Sequence, residues 1–257
     1  MDIAYLAKRL SLDGKKAIVT GASGGIGAAI AKSLARFGAE VAVLGRNEDK
    51  IRETEREILS FGGKCDTWKF DVSDPEKSEE FFDNYIRKHG APDIFIANAG
   101  TTVFKHTIDT TDEEMEKLID TDLKGVMYGL RRAGKAMKEA GRGNIVVVTS
   151  VNAFYPLPSQ ALYTGIKCAL EGIVRCMASD LGRYGVRVNS FAPGAVNTDL
   201  GSPHTNERVP LDIPLGHQAL PEEVGDTVAC MVTDAFEYMT GATVLADGGI
   251  MLRKTKY

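Results

Sequence analysis

The chain is predicted to fold as a doubly wound parallel α/β sheet with helices on both faces, in one domain spanning residues 1–257. Three observations carry that expectation. Short apolar runs alternate with segments of helical period along the whole length. Several runs, such as Ile145-Val146-Val147-Val148, are apolar without interruption, as in parallel strands covered on both faces. No repeat, low-complexity tract or Pro-, Gly- or Ser-rich linker divides the series, and 257 residues at 44% hydrophobic content suffice for one sizeable core.

Residues 1–14 read as a lead-in of one or two helical turns. A strand at 16–20 runs into Thr20-Gly21-Ala22-Ser23-Gly24-Gly25-Ile26-Gly27, which opens a helix at 26–37. Strand, glycine turn and helix in that order form a Rossmann-type dinucleotide cradle. Gly21 allows the tight turn, Gly25 lets the backbone approach a pyrophosphate, and Gly27 lets helix pack on strand, with the amides at Ile26 facing the phosphates. The strand at 40–44 ends in Gly45-Arg46, where NAD sites generally carry an acidic residue. No carboxylate repels a 2′-phosphate there, Arg46 can bond one bidentately, and Ser23 adds a hydroxyl; the expected cofactor is NADP(H).

A helix at 50–61, a strand at 65–69, a helix at 77–89 and a strand at 94–97 follow by the same alternation. Thr111 and the acidic run Asp112-Glu113-Glu114 start a long helix predicted over 113–140. The strand at 144–149 ends at Ser150, and the helix at 160–184 carries Tyr163 and Lys167. Four residues apart, these two share a helical face, where an ammonium holds a phenol near ionisation and makes it an acid–base group. Glycine turn, Ser, Tyr and Lys in that order point to a nicotinamide-dependent oxidoreductase. Gly165 lies inside this helix, at a position read as relieving a helix–helix contact. Leu170, Ile173, Val174 and Met177 give the helix apolar character on more than one face, which points to a homo-oligomer. After a strand at 187–191, the irregular segment 195–220, with Pro203, Pro210 and Pro214, reads as a flap over the substrate; a last strand covers 243–246.

Other classes are disfavoured. A formal net charge of −4 gives no electrostatic support for nucleic-acid or membrane partners. Cys65, Cys168, Cys176 and Cys230 lack metal or disulfide spacing, and His89, His106, His204 and His217 are dispersed, so no metal site is expected. Without a signal-like or membrane-spanning run, the protein is expected to be soluble and cytoplasmic.

Taken together, from about Leu12 to Arg253, the chain resembles the short-chain dehydrogenase/reductase family. Beyond the glycine turn and the Tyr–Lys pair, Asp71-Val72 is similar to that family's adenine contact, and Asn98-Ala99-Gly100 to the segment that braces the sheet and touches the cofactor. Pro193-Gly194, Val196 and Thr198 resemble the segment that holds the nicotinamide amide, and Asp247-Gly248-Gly249 the C-terminal signature. The resemblance implies that Tyr163 protonates the carbonyl oxygen as hydride arrives, that Ser150 bonds that oxygen, and that Lys167 lowers the phenol's pKa and bonds the nicotinamide ribose. Three positions depart from the pattern. Asp122-Leu123-Lys124-Gly125 has Asp where the family usually has an Asn whose carbonyl holds a relay water, Ala97 replaces an Asn, and Ile166 replaces a Ser. Ala97 and Asp122 together resemble the NADP(H)-dependent ketose and polyol reductases, so a small sugar-like ketone is the expected substrate and a tetramer the expected assembly. A 3-oxoacyl thioester or hydroxysteroid substrate, and a catalytically silent NADP(H) sensor, are the alternatives. Phe154, Tyr155, Pro156 and Leu157 either line the substrate pocket or form an oligomer contact.

Overall fold

A computed structural model describes residues 1–198 and 213–252. The middle of the expected flap, with Pro203, His204 and Pro210, and the terminal Arg253 lie outside the described residues. Seven strands form one parallel sheet: β1 Lys16–Val19, β2 Glu40–Gly45, β3 Lys64–Lys69, β4 Ile94–Ala97, β5 Gly143–Val148, β6 Val186–Pro193 and β7 Thr243–Ala246. Their spatial order is β3-β2-β1-β4-β5-β6-β7, so the winding reverses between β1 and β4. In such sheets the crevice at the carboxyl ends of the strands around that reversal receives the ligand.

Strand side chains alternate between two cores, as period two requires. Ala17, Val19, Val41, Val43 and Ile96 pack with the helices α2 Gly25–Arg36, α3 Glu48–Ser60 and α8 Pro221–Met231. Ile18, Ala42, Phe95, Ile145 and Val147 face the other way, onto α4 Pro75–His89, α6 Val126–Ala140 and α7 Ala161–Leu181. Both faces are covered, which explains runs such as Ile145–Val148 with no polar break. The lead-in forms α1 Ile3–Leu10, two turns capped by Asp2, with no buried residue.

Local signals set the helix starts. Asn47 accepts from the Lys50 amide to cap α3, Asp74 caps α4 ahead of Pro75, and Thr111 with Glu114 forms a capping box on α5 Asp112–Ile119. The uninterrupted helix expected over 113–140 does not form. Between α5 and α6 the backbone widens into a π-helical turn, Asp120–Gly125. The wider turn carries Thr121, Asp122 and Gly125 into the interior; its Asp, Thr and Gly residues are weak helix formers, a signal that the expectation of one long helix passed over. Two other expectations change. Gly165 is exposed, and a Cβ added there meets no described residue, so no described helix packs on it. Ile173 and Met177 lean into the chain's own core instead of forming a free second face.

Candidate active site

The glycine turn between β1 and α2 is shaped by close approach. Gly21 has φ of +66°, and a Cβ on it would lie 2.8 Å from the Ala99 Cα; one on Gly27 would lie 2.2 Å from the Gly21 carbonyl oxygen. Asn98 braces the turn from β4, its Nδ2 donating to the carbonyls of Thr20 at 3.0 Å and Gly21 at 3.3 Å. Thr20 returns the support, its Oγ1 accepting from the Asn98 and Ala99 amides. Gly24 and Gly25 are exposed, no side chain among the described residues caps α2, and Ile26 is half-buried behind them. The uncapped amides and the missing Cβ atoms leave room and donors for a phosphate, so this cradle fits a dinucleotide.

The neighbouring residues frame the same crevice. Ser23 packs over Gly45, where a Cβ would lie 2.9 Å from that of Ser23, and Arg46 beside it is exposed. Asp71, after β3, accepts from the amide and hydroxyl of Ser73, while Val72 is buried against Gly125. Pro193-Gly194 ends β6 against Asp247, and Val196 bridges Ala219, so the two ends of the flap segment are pinned together. Thr198 reaches the glycine turn, its methyl 3.3 Å from where a Gly25 Cβ would sit.

At the carboxyl ends of β4 and β5 the acid–base groups meet. Lys167 is buried on α7, its Nζ 5.3 Å from the Tyr163 ring centre and 3.4 Å from the Val148 carbonyl to which it donates. Its Nζ also lies 3.5 Å from Oδ2 of Asp122, whose side chain is 0% exposed. Asp122 Oδ1 accepts from the Thr101 amide at 2.7 Å, and Oδ2 has no hydrogen-bond partner among the described residues. The contact with Lys167 is therefore an ion pair of poor hydrogen-bond geometry. Gly100 makes room for it, since a Cβ there would sit 2.8 Å from Oδ2. Burial pushes the Asp122 carboxyl above its ordinary pKa, with the Lys167 charge and the Thr101 amide pulling the other way. Ser150 is buried where β5 ends, and its Oγ accepts from the Asn152 amide at 3.1 Å. Tyr163 also lines a recess with an apolar wall of Val103, Met115 and Leu118 and a polar rim of Lys105, Ser159 and Gln160.

A sequence model of the family described as enoyl-(acyl carrier protein) reductase matches residues 21–251. Versicolorin reductase of Emericella nidulans is 35% identical over 93% of this chain and 96% of its own. The chain belongs to the short-chain dehydrogenase/reductase family. L-rhamnose 1-dehydrogenase (NAD(P)(+)) of Azotobacter vinelandii is 33% identical over 93% of this chain and 97% of its own. Among solved structures, a short-chain type dehydrogenase/reductase from Mycobacterium marinum superposes with a TM-score of 0.91 at 31% identity, covering 96% of this chain and 99% of its own. Membership makes this short-chain dehydrogenase/reductase a nicotinamide-using oxidoreductase of alcohols and ketones.

Two parts of the site escaped sequence reasoning. Glu171, one turn beyond Lys167, is buried and accepts from the hydroxyls of Thr149 at 2.6 Å, Ser190 at 2.8 Å and Thr243 at 2.6 Å. It ties α7 to the residue after β5, the middle of β6 and the start of β7; a carboxylate at i+4 from Lys167 on an apolar helix face was its signal. The second part is the amide pair Asn152 and Gln160, which lie too far apart in sequence to be matched by pattern. His106 is exposed at the start of a short 3₁₀ turn. No cluster of His, Cys, Asp or Glu with metal-binding geometry occurs among the described residues, and no described helix is long and apolar enough to cross a membrane.

Proposed function

We propose that this enzyme is an NADP(H)-dependent oxidoreductase that interconverts a secondary alcohol and a ketone on a small sugar or polyol. The observation that carries the chemistry is the placement of Lys167, between the Tyr163 ring and the Asp122 carboxylate at the mouth of the cradle. When bound, the nicotinamide supplies or accepts the hydride. Tyr163 gives its phenolic proton to the carbonyl oxygen in reduction and takes it back in oxidation. Ser150 donates a hydrogen bond to the same oxygen as negative charge develops, where a fixed donor lowers the barrier most. Lys167 keeps its positive charge beside the phenol, favouring the phenolate that remains after proton transfer.

Asp122 serves as counter-ion to Lys167. Gly21, Gly25 and Gly27, with Ile26, would hold the pyrophosphate; Asp71 and Val72 would contact the adenine; and Asn98, Gly100, Pro193, Gly194, Val196 and Thr198 would hold the nicotinamide end. The preference for NADP(H) is supported by Gly45 and the exposed Arg46, with Ser23 alongside. The polar rim of the recess beside Tyr163 supports a hydroxyl-bearing substrate. An NADPH-oxidation panel of D-fructose, L-sorbose, an acetoacetyl thioester and a 3-oxosteroid tests the proposal. The highest kcat/KM is expected on a ketose, and activity confined to the thioester or steroid overturns the substrate assignment. Absence of turnover on all four, with intact NADPH binding, overturns the catalytic one.

A further inference from the structure

A serine hydroxyl has one hydrogen to give and two lone pairs to accept with. To stabilise a carbonyl oxygen in the transition state, Ser150 must spend that hydrogen on the substrate. The Asn152 amide donates to Ser150 Oγ within the turn Val151–Ala153, which occupies acceptor capacity and leaves the hydrogen to be given away. Asn152 is held in turn by its own side chain, Nδ2 donating to Gln160 Oε1 at 2.7 Å. Gln160 Nε2 then donates to Thr102 Oγ1 at 3.2 Å. Both amide side chains belong to buried residues, so neither bond is exchanged cheaply for one to water.

This chain of bonds joins three segments that wall the site: the stretch after β4, the turn after β5 and the start of α7. Gln160 stands at the N-cap of α7 yet does not cap it. It follows Ser159, the one non-glycine residue with positive φ among those described, at +63°. Strained backbone and a forgone cap at one place indicate that the Gln160 amide is directed to another task. Its position on the recess shared with Tyr163 puts that task at the reacting groups.

We propose that Gln160 and Asn152, anchored on Thr102, are positioning residues that hold the Ser150 hydroxyl as a donor toward the reacting oxygen. The inference rests on the role given to Ser150 above, and the test separates the two. Gln160→Met keeps length and removes both hydrogen bonds; Gln160→Glu keeps the acceptor for Asn152. With NADPH and the best ketose of the panel, Gln160→Met is expected to lower kcat on the order of tenfold, because small errors in placing a catalytic donor are costly. The KM for NADPH stays unchanged, and Gln160→Glu recovers most of the rate. In a Ser150→Ala background the same Gln160→Met change costs less than about twofold, since the group it positions is gone. An equal loss in both backgrounds overturns the proposal. If Ser150→Ala alone leaves kcat intact, the role of Ser150 fails, and crystal structures decide the positioning claim without any substrate. There the Ser150 side chain of Gln160→Met is expected to change rotamer or split between two, and an unmoved Oγ with its Asn152 contact overturns the claim. Should Gln160→Met fold poorly, Thr102→Val removes only the anchor and carries the same tests.

Discussion

Asp122→Asn removes one negative charge from the buried pair while keeping an oxygen that can accept the Thr101 amide. At the 3.5 Å separation of Lys167 Nζ from Asp122 Oδ2, two unit charges at an effective dielectric of about 20 attract by about 5 kcal/mol. Taking the carboxylate out of water opposes that gain, and the raised pKa of Asp122 shows that burial is the larger influence on it. Reduction needs a protonated Tyr163 and a charged Lys167. Loss of the counter-ion leaves the buried Lys167 without its acidic partner, so the pH optimum of kcat is expected to shift from that of the parent protein. The assay is initial-rate NADPH oxidation from pH 6 to 10. Superimposable profiles for the two proteins would mean that only the backbone of residue 122 matters, and would refute the coupling. The same carboxyl leaves a mark on stability. Its folded pKa lies above the unfolded one, so the native state binds the proton more tightly, and acidification through the raised value stabilises the native state until the unfolded value of about 3.9 is reached. Urea midpoints taken from pH 7 down to pH 4 should therefore show the parent protein gaining on Asp122→Asn as the pH falls.

Arg46→Asp replaces a phosphate-binding guanidinium with a repelling carboxylate. The NADPH-to-NADH affinity ratio should fall by about tenfold or more, to below one, read by fluorescence titration; equal affinities in the parent protein would sink the cofactor assignment. Tyr163→Phe keeps the ring and loses the proton donor, so turnover should drop by about 10²–10⁴-fold with NADPH binding intact, and near-normal turnover would overturn the mechanism. Glu171→Leu leaves two buried hydroxyls and the half-buried Thr243 hydroxyl without their acceptor and should cost about 2–4 kcal/mol by urea denaturation, with Glu171→Gln costing less than half as much. Light scattering should report a tetramer at micromolar concentration, and a monomer there would refute the assembly expected from the family.

What could be read from the sequence follows from which interactions are local. The central strands were legible because a parallel strand buried on both faces leaves a short apolar run, as at Ile145–Val148, whereas the edge strand β3, Lys64-Cys65-Asp66-Thr67-Trp68-Lys69, has no such run and was placed by the alternation of elements. The cradle was legible because its glycines, φ and close contacts lie within one turn, so residues 21–27 carry their own explanation. Tyr163 and Lys167 were legible because i and i+4 on a helix are neighbours by construction. Missed features are relations between distant segments. The weak helix formers of the π turn do not say where the backbone widens, yet its extra width is what turns Asp122 inward to face Lys167, 45 residues further along the chain. Helix α8, too, escaped the element assignment, although Pro221 at its first turn with Glu222 and Glu223 was a usable start signal. Glu171 shows the limit most clearly. In sequence it is one acidic residue in an apolar helix, ordinarily a solvated face. Three hydroxyls in or beside three strands, none near it in the chain, make it a buried acceptor. The polar groups that hold the reacting residues in place are satisfied across the sheet, and only the fold brings those partners together.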